Sequence, residues 1–276
     1  MQKIKIFLLV LMISCTRNPK QDFVFEKIEC SPSEMPEYDG EVVTLLDNQT
    51  GKPLRDTLVE RVVKTRTIFK PCREYIYLAT YKDSLNRPIS SSKVWMMATG
   101  TRWEGQKAKQ DEIIVQYEFD DTQLQQIKKY FVNRLLLGNP WQVKQKEGIV
   151  ENVKGVWMHP FRSNQYNFTE VAPFPEVKFP LQIGKTWTSQ LSIGPGWGDW
   201  STTSIHNEYK VTELTEIKTP YKEFKKCWKV YATSSANFGE SIHEFWFDEA
   251  YGFIKMHYTN YQAQTLTFEL LDVMDK

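Results

Sequence analysis

Apolar and polar residues alternate with a period of two along most of this chain, and that spacing is the tightest limit on what it can fold into. Residues 61–69, 74–82, 92–99, 112–119, 149–158 and 186–193 each carry the pattern. Turn-forming residues separate them at Asn48 to Pro53, Asp83 to Pro88 and Gly194 to Gly198. Successive side chains of a strand point to opposite faces, so each such run buries one face and wets the other. The pattern predicts a mainly β (α+β) fold, a large curved antiparallel sheet or open half-barrel. One packed helix is expected over about 121–137, capped by Asp121 or Thr122, with Leu124, Ile127, Phe131 and Leu135 on one face and Gly138-Asn139-Pro140 closing it.

Toward the C-terminus the alternation is clear enough to assign a register. Ser241 to Asp248 and Gly252 to Thr259 flank a turn at Glu249-Ala250-Tyr251. Placing Phe247 opposite Ile254 puts His243, Phe245, Phe247, Ile254, Met256 and Tyr258 on a core face. The other face, partly solvated, then carries Glu244, Trp246, Asp248, Phe253, Lys255 and His257, with Glu244 opposite His257 and Trp246 opposite Lys255. Tyr209 to Ile217, Lys226 to Thr233 and Gln264 to Val273 extend the same sheet.

The N-terminus carries a different signal. Lys3 and Lys5 precede an unbroken apolar run from Ile6 to Ile13, which stops at Ser14-Cys15. A bilayer span needs about 20 apolar residues, so the run reads as an export signal over residues 1–14. A small residue directly before a Cys resembles the lipobox of bacterial lipoproteins, in which the Cys becomes acylated; Met12 stands where Leu is commonest. The resemblance implies lipidation at Cys15 and membrane attachment, with residues 15–40 as a polar tether ahead of a β-rich region over 41–276. That region divides into an N-terminal half with the helix, 41–175, and a C-terminal sheet half, 176–276.

Cys30, Cys72 and Cys227 remain once Cys15 is acylated, in an oxidising compartment that permits one intramolecular disulfide. Cys30 and Cys72 lie in Pro-flanked, loop-like surroundings and are the expected pair. Cys227, before Trp228 in an apolar strand, reads as a small buried hydrophobe. The 35 Lys and Arg against 34 Asp and Glu give a formal charge of +1, and losing Lys3 and Lys5 leaves about −1. That balance offers no footprint for nucleic acid.

Catalytic patterns are missing from the sequence. Gly184-Lys185-Thr186 mimics the end of a phosphate loop, but Phe179 stands where that motif needs Gly. His159, His206, His243 and His257 have no fixed-spacing partner, and no paired Cys or His spacing suits a metal. The expectation is a non-enzyme with no cofactor and no metal.

Phe179-Pro180-Leu181-x-x-Gly184-Lys185-x-Trp187, Thr219-Pro220-x-x-x-Phe224-Lys225-x-Cys227-x-x-Val230 and Trp246-Phe247-x-x-x-x-Gly252-Phe253-Ile254-Lys255 together resemble a β-rich domain of unknown function. It occurs in uncharacterised secreted and lipid-anchored proteins of Bacteroidetes. The resemblance covers roughly the last hundred residues, with Glu223 where a Gly is usual. It implies a curved half-barrel whose concave face meets a ligand. The stretch after Cys15 does not resemble the acidic surface-export signal of such lipoproteins, which favours the periplasmic face of the outer membrane.

Aromatic residues outside the strands are the best site candidates. Trp197 and Trp200 flank Asp199 in the glycine-rich turn, where rings can stack on a sugar or acyl chain while the carboxylate accepts hydrogen bonds. Trp157 and Arg162 form a second cluster, whose Arg suits an anionic headgroup. Two functions stand open: a lipid-anchored envelope module holding a hydrophobic or glycan ligand on its concave face, and a structural or accessory subunit meeting another envelope protein. Labelled palmitate is expected to enter the expressed wild-type chain and not Cys15→Ala; equal labelling would remove the anchor.

Overall fold

The computed structural model describes residues 23–34, 36–46, 53–118, 125 and 127–275. Residues 1–14, Cys15 and the expected helix caps Asp121 and Thr122 lie outside these. Fourteen strands are present among the described residues. A short antiparallel hairpin, β1 (Tyr38–Leu46) with β2 (Pro53–Val63), stands apart from one twelve-stranded antiparallel sheet.

The large sheet is two meanders joined at one seam. β3 (Glu74–Lys82), β4 (Pro88–Arg102), β5 (Asp111–Tyr117), β6 (Lys144–Asn152), β7 (Gly155–Met158) and β8 (Glu176–Lys178) follow one another as neighbours. So do β9 (Thr186–Ser192), β10 (Ser204–Lys218), β11 (Glu223–Ala236), β12 (Gly239–Asp248), β13 (Gly252–Thr259) and β14 (Thr265–Met274). β14 pairs with β3 from Thr265↔Lys82 to Met274↔Glu74 and closes the seam.

The sheet curls further than an open half-barrel. Its edge strands β8 and β9 form no backbone ladder, but Trp187 Nε1 donates to Glu176 Oε2 at 3.2 Å across the gap. Lys185 Nζ reaches the carbonyls of Lys178 and Pro180 at 2.8 and 2.9 Å. The barrel is therefore nearly closed, its last edge bridged by side chains. The first of its two rims carries the turns 83–87, 193–203 and 260–264 and the described residues 127–143 between β5 and β6. The opposite rim carries 64–73, 103–110, 179–185, 219–222 and 249–251, with the β1–β2 hairpin beside it.

The interior is packed with aromatic side chains. Residues 159–175, including a 3-10 stretch at Asn164–Val171, run across the inner face and fill it. Phe161 meets Tyr77 and Phe268 at ring-centroid distances of 5.2 and 5.1 Å, Tyr166 meets Phe268 at 5.3 Å, and Phe168 meets Tyr81 at 5.8 Å. Ser234 Oγ and His243 Nδ1 bind the carbonyls of Val171 and Pro173. The concave face expected to hold a ligand is thus occupied by the chain's own residues.

Several strand assignments shift, each for a physical reason of its own. Residues 61–69 do not form one strand: β2 ends at Val63, and the amides of Thr67, Ile68 and Phe69 donate to the Glu151 carboxylate at 2.7, 3.1 and 2.8 Å. Arg73 donates to the carbonyls of Thr67 and Ile68, so this turn's polar groups are satisfied by side chains. Residues 149–158 fold back on themselves, because the Val153-Lys154 turn pairs Asn152 with Gly155. In the C-terminal hairpin Glu244↔His257 and Trp246↔Lys255 hold, but a bulge after Trp246 pairs Phe247 with Phe253. The extra residue turns both Phe253 and Ile254 inward, so Phe253 belongs to the core and not to the solvated face.

The expected helix is also shorter. Gln125, Ile127 and Lys128 are helical, but Asn133 is extended and Arg134–Gly138 is a 3-10 turn. Buried Asn133 accepts from Leu135 N at 3.2 Å and donates to the Trp197 carbonyl at 2.8 Å, offering the backbone a partner that helix would deny it. Leu135 consequently points to solvent, 65% exposed.

The segment before β1 lies along the sheet as an extended strap. Gln116 takes both backbone groups of Glu26 at 2.8 Å, and Lys144 Nζ lies 2.7 Å from the Glu26 carboxylate. Cys30 is disulfide-bonded to Cys72, as the sequence suggests, and Ser33 N donates to Gly100 O at 3.2 Å. Cys227 is free and buried. At the far end Asp39, Lys64, Arg102 and Asp111 form a buried four-charge cluster that docks the hairpin onto β4 and β5. The disulfide closes a separation of 42 residues, for which chain entropy gives a stabilisation of about 4 kcal/mol. The double variant Cys30→Ser/Cys72→Ser is expected to lose about 2–4 kcal/mol in denaturant unfolding; an unchanged midpoint would show that the disulfide contributes nothing to the stability of the fold.

Candidate functional site

The first rim holds a cavity of about 230 Å³. Its apolar wall is Phe131, Leu136, Trp141 and Trp197, and its polar wall is Asn139, Gln142, Arg162, Ser163, Asn164 and Asn167. Three loops build it. Asn164 adopts a left-handed φ of 59°, a conformation Asn tolerates, and its amide clamps Gln142, accepting from N at 2.9 Å and donating to O at 2.8 Å. Trp197 is held from both sides, its carbonyl by Asn133 and its amide by Ser201 Oγ at 3.0 Å. The next residue, Gly198, has a φ of 55°, and a Cβ there would sit 2.6 Å from Asn133 Oδ1. Only glycine lets the Trp197 loop approach so closely.

Arg162 joins this cavity to the buried charge beneath it. Its guanidinium lies 5.8 Å from the Trp197 ring centroid. It also grips Glu147 with two hydrogen bonds at 2.8 and 2.7 Å and Glu170 with one at 2.8 Å. Burial raises the pKa of both carboxyls, while Arg162 opposes that rise. Removing one partner of such a pair leaves an uncompensated buried charge. With two carboxylates already on it, Arg162 is not the free cation that an anionic headgroup would need.

His159, 3.7 Å from Glu147, is held neutral by burial, with Arg162 adding to the effect, and its pKa falls to about 2. His243 is fully buried, and its Nδ1 is 2.8 Å from the Pro173 carbonyl, so the proton sits on that nitrogen. Burial pushes its pKa down to about 3. The remaining nitrogen, Nε2, has no hydrogen-bond partner.

The structure scatters the five candidate residues. Trp197 and Arg162 share the cavity. Trp200 is only 1% exposed and donates from Nε1 to Tyr261 OH at 3.0 Å, which makes it a core residue with no face for a ligand. Asp199 is exposed and outside the cavity. Trp157 packs on His159 and Phe174 and lines a different groove of about 470 Å³ with Lys109, Lys154 and Glu176. The sequence reading missed Trp141, Gln142, Asn164 and Asn167. The Asn139-Pro140-Trp141 turn was a usable signal, since it sets an aromatic residue on a loop. Among the described residues, no cluster of three or more His, Cys, Asp or Glu could hold a metal.

No family model and no curated protein matches the sequence. Among solved structures, a protein named as exported, with a YmcC-like fold, from Bacteroides fragilis is similar at a TM-score of 0.45 and 10% identity. That likeness covers 77% of this chain and 100% of the other. A protein named as a lipoprotein from Parabacteroides distasonis is similar at 0.42 and 8% identity, over 76% and 99% of the two chains. A domain named for outer-membrane lipoprotein sorting from Vibrio parahaemolyticus gives 0.23 at 10% identity, over 74% and 85%. All three TM-scores fall below 0.5, and likeness at that level decides nothing about chemistry or ligand.

A histidine whose native pKa lies below its unfolded value of about 6.5 contributes stability that is complete above that value and lost as the pH falls toward the native one. The window runs from about 6.5 down to about 3 for buried His243 and to about 2 for buried His159. Glu147 and Glu170, raised by burial, titrate in the opposite sense. The urea midpoint is expected to fall between pH 7 and pH 5, and to fall less in His243→Phe. Parallel midpoints for the two proteins would rule out a neutral buried imidazole.

Proposed function

We propose that this chain is a lipoprotein of the bacterial envelope, acylated at Cys15 on the periplasmic face of the outer membrane, which binds a neutral saccharide in the first-rim cavity. The observation that carries the binding reading is the cavity's lining, a Trp197 and Trp141 wall facing the amides of Asn139, Gln142 and Asn167. Aromatic faces take the apolar side of a sugar ring, and amides pair with its hydroxyls. An acyl chain would instead desolvate those amides without partners. At about 230 Å³ the space falls below the roughly 300 Å³ at which pockets for drug-sized ligands begin, which suits one sugar ring. Neutrality follows from Arg162, whose charge is already met by Glu147 and Glu170. This reading places the ligand on the rim, outside the filled concave face, and asks for no catalytic group, cofactor or metal.

The accessory-subunit reading is favoured by a separate feature, the β1–β2 hairpin. Val43, Leu58, Val59 and Val63 are 47–57% exposed on it, a surface that another envelope protein would cover.

Titration of the ¹⁵N-labelled protein with glucose and N-acetylglucosamine is expected to shift the amides of Trp197, Gln142 and Asn164. Trp197→Ala is expected to weaken binding at least tenfold, about 1.4 kcal/mol, with an unchanged circular dichroism spectrum. Absence of shifts at these amides with both sugars at 50-fold excess would overturn the saccharide reading.

A further inference from the structure

The strap fixes where the chain leaves the barrel. Glu26 is bound to Gln116 near the end of β5 and to Lys144 at the start of β6, both on the first-rim side. From there the strap runs away from that rim, through Cys30–Cys72 and Ser33, to β1 beside the opposite rim. Whatever holds Cys15 therefore pulls on the first rim.

The length of the intervening chain sets the reach. Eleven residue steps separate Cys15 from Glu26. The first eight of them lead to Phe23, the first described residue, and eight steps span at most about 28 Å. A ten-residue strand such as β14 covers about 33 Å, which exceeds that reach. The first rim is within ordinary reach.

That rim also has the side chains for an interface. Leu85 is 69% exposed, Leu135 65%, Val24 82% and Val143 44%. Each lies in a first-rim turn or beside the strap, and Lys129 and Arg134 are exposed among them. Apolar side chains of this kind lose water in the outer part of a bilayer. We infer that the first rim seats on the bilayer that holds Cys15, with Leu85, Leu135, Val143 and Val24 as its contacts. The seat rests on the proposed anchoring at Cys15 and adds an orientation, with the Trp197 cavity on the membrane-facing side and the β1–β2 hairpin turned away.

Fluorophores on Leu135→Cys and on Ile183→Cys, an exposed position of the opposite rim, test this without disturbing the core. The native cysteines do not compete, since Cys227 is buried and Cys30 is bonded to Cys72. In the acylated protein on phosphatidylethanolamine/phosphatidylglycerol vesicles, headgroup-nitroxide lipid is expected to quench the label at 135 at least threefold more than that at 183. Equal or reversed quenching on vesicles that carry the protein would overturn the seat and leave the anchor standing. The mature chain with a hexahistidine in place of Cys15, held on nickel-chelating vesicles, separates the two readings. Preferential quenching at 135 there supports the seat even if the Cys15 form fails to float with vesicles, and its absence there overturns the seat.

Discussion

The ladder between β3 and β14 joins the first and last strands of the large sheet in chain order, and the barrel depends on it. On one side lie strands contributed in order by the first half, on the other strands contributed by the second. Without that pairing each meander would expose an open edge and half an apolar face. With it, twelve strands share one inner surface, and the right-handed twist that accumulates across them brings β8 and β9 close enough for Trp187 to reach Glu176. The seam carries its own core: Tyr77, Tyr81, Leu266, Phe268 and Leu270 are all at most 1% exposed.

A curled sheet this large needs something inside it, and residues 159–175 supply the filling. This segment buries Phe161, Tyr166 and Phe168 against rings from β3 and β14, and anchors its carbonyls to Ser234 and His243 on the far wall. The cost is a polar backbone and several charges taken out of water. Arg162 answers part of it by holding Glu147 and Glu170 together, and the same guanidinium reaches the Trp197 ring. The rim cavity is thus continuous with the machinery that keeps the plug in place, and its shape follows from the plug's position.

Much of the fold was legible in local patterns. β3 matches its alternating run residue for residue, and the hairpin of β12 and β13 keeps two of its expected cross-strand pairs. Two of the errors share one cause. The Thr67–Phe69 amides turn to Glu151, more than eighty residues away, and Asn133 turns to Trp197, sixty-four residues away. In each case a distant polar group offered the backbone a better partner than the regular element did, and nothing in the local spacing announces such a partner.

The sequence by itself determined the β class, the candidate strands and the two loop cysteines suited to pairing, because alternation and turn chemistry act between near neighbours. Only the tertiary structure decided that the barrel nearly closes, that its concave face is full, and that Trp200 is core while Trp197 lines a cavity. Those outcomes depend on which surfaces meet once the seam has formed. Two tryptophans three residues apart in one turn carry the same local information, and only their distant neighbours, Tyr261 for one and Arg162 for the other, tell them apart.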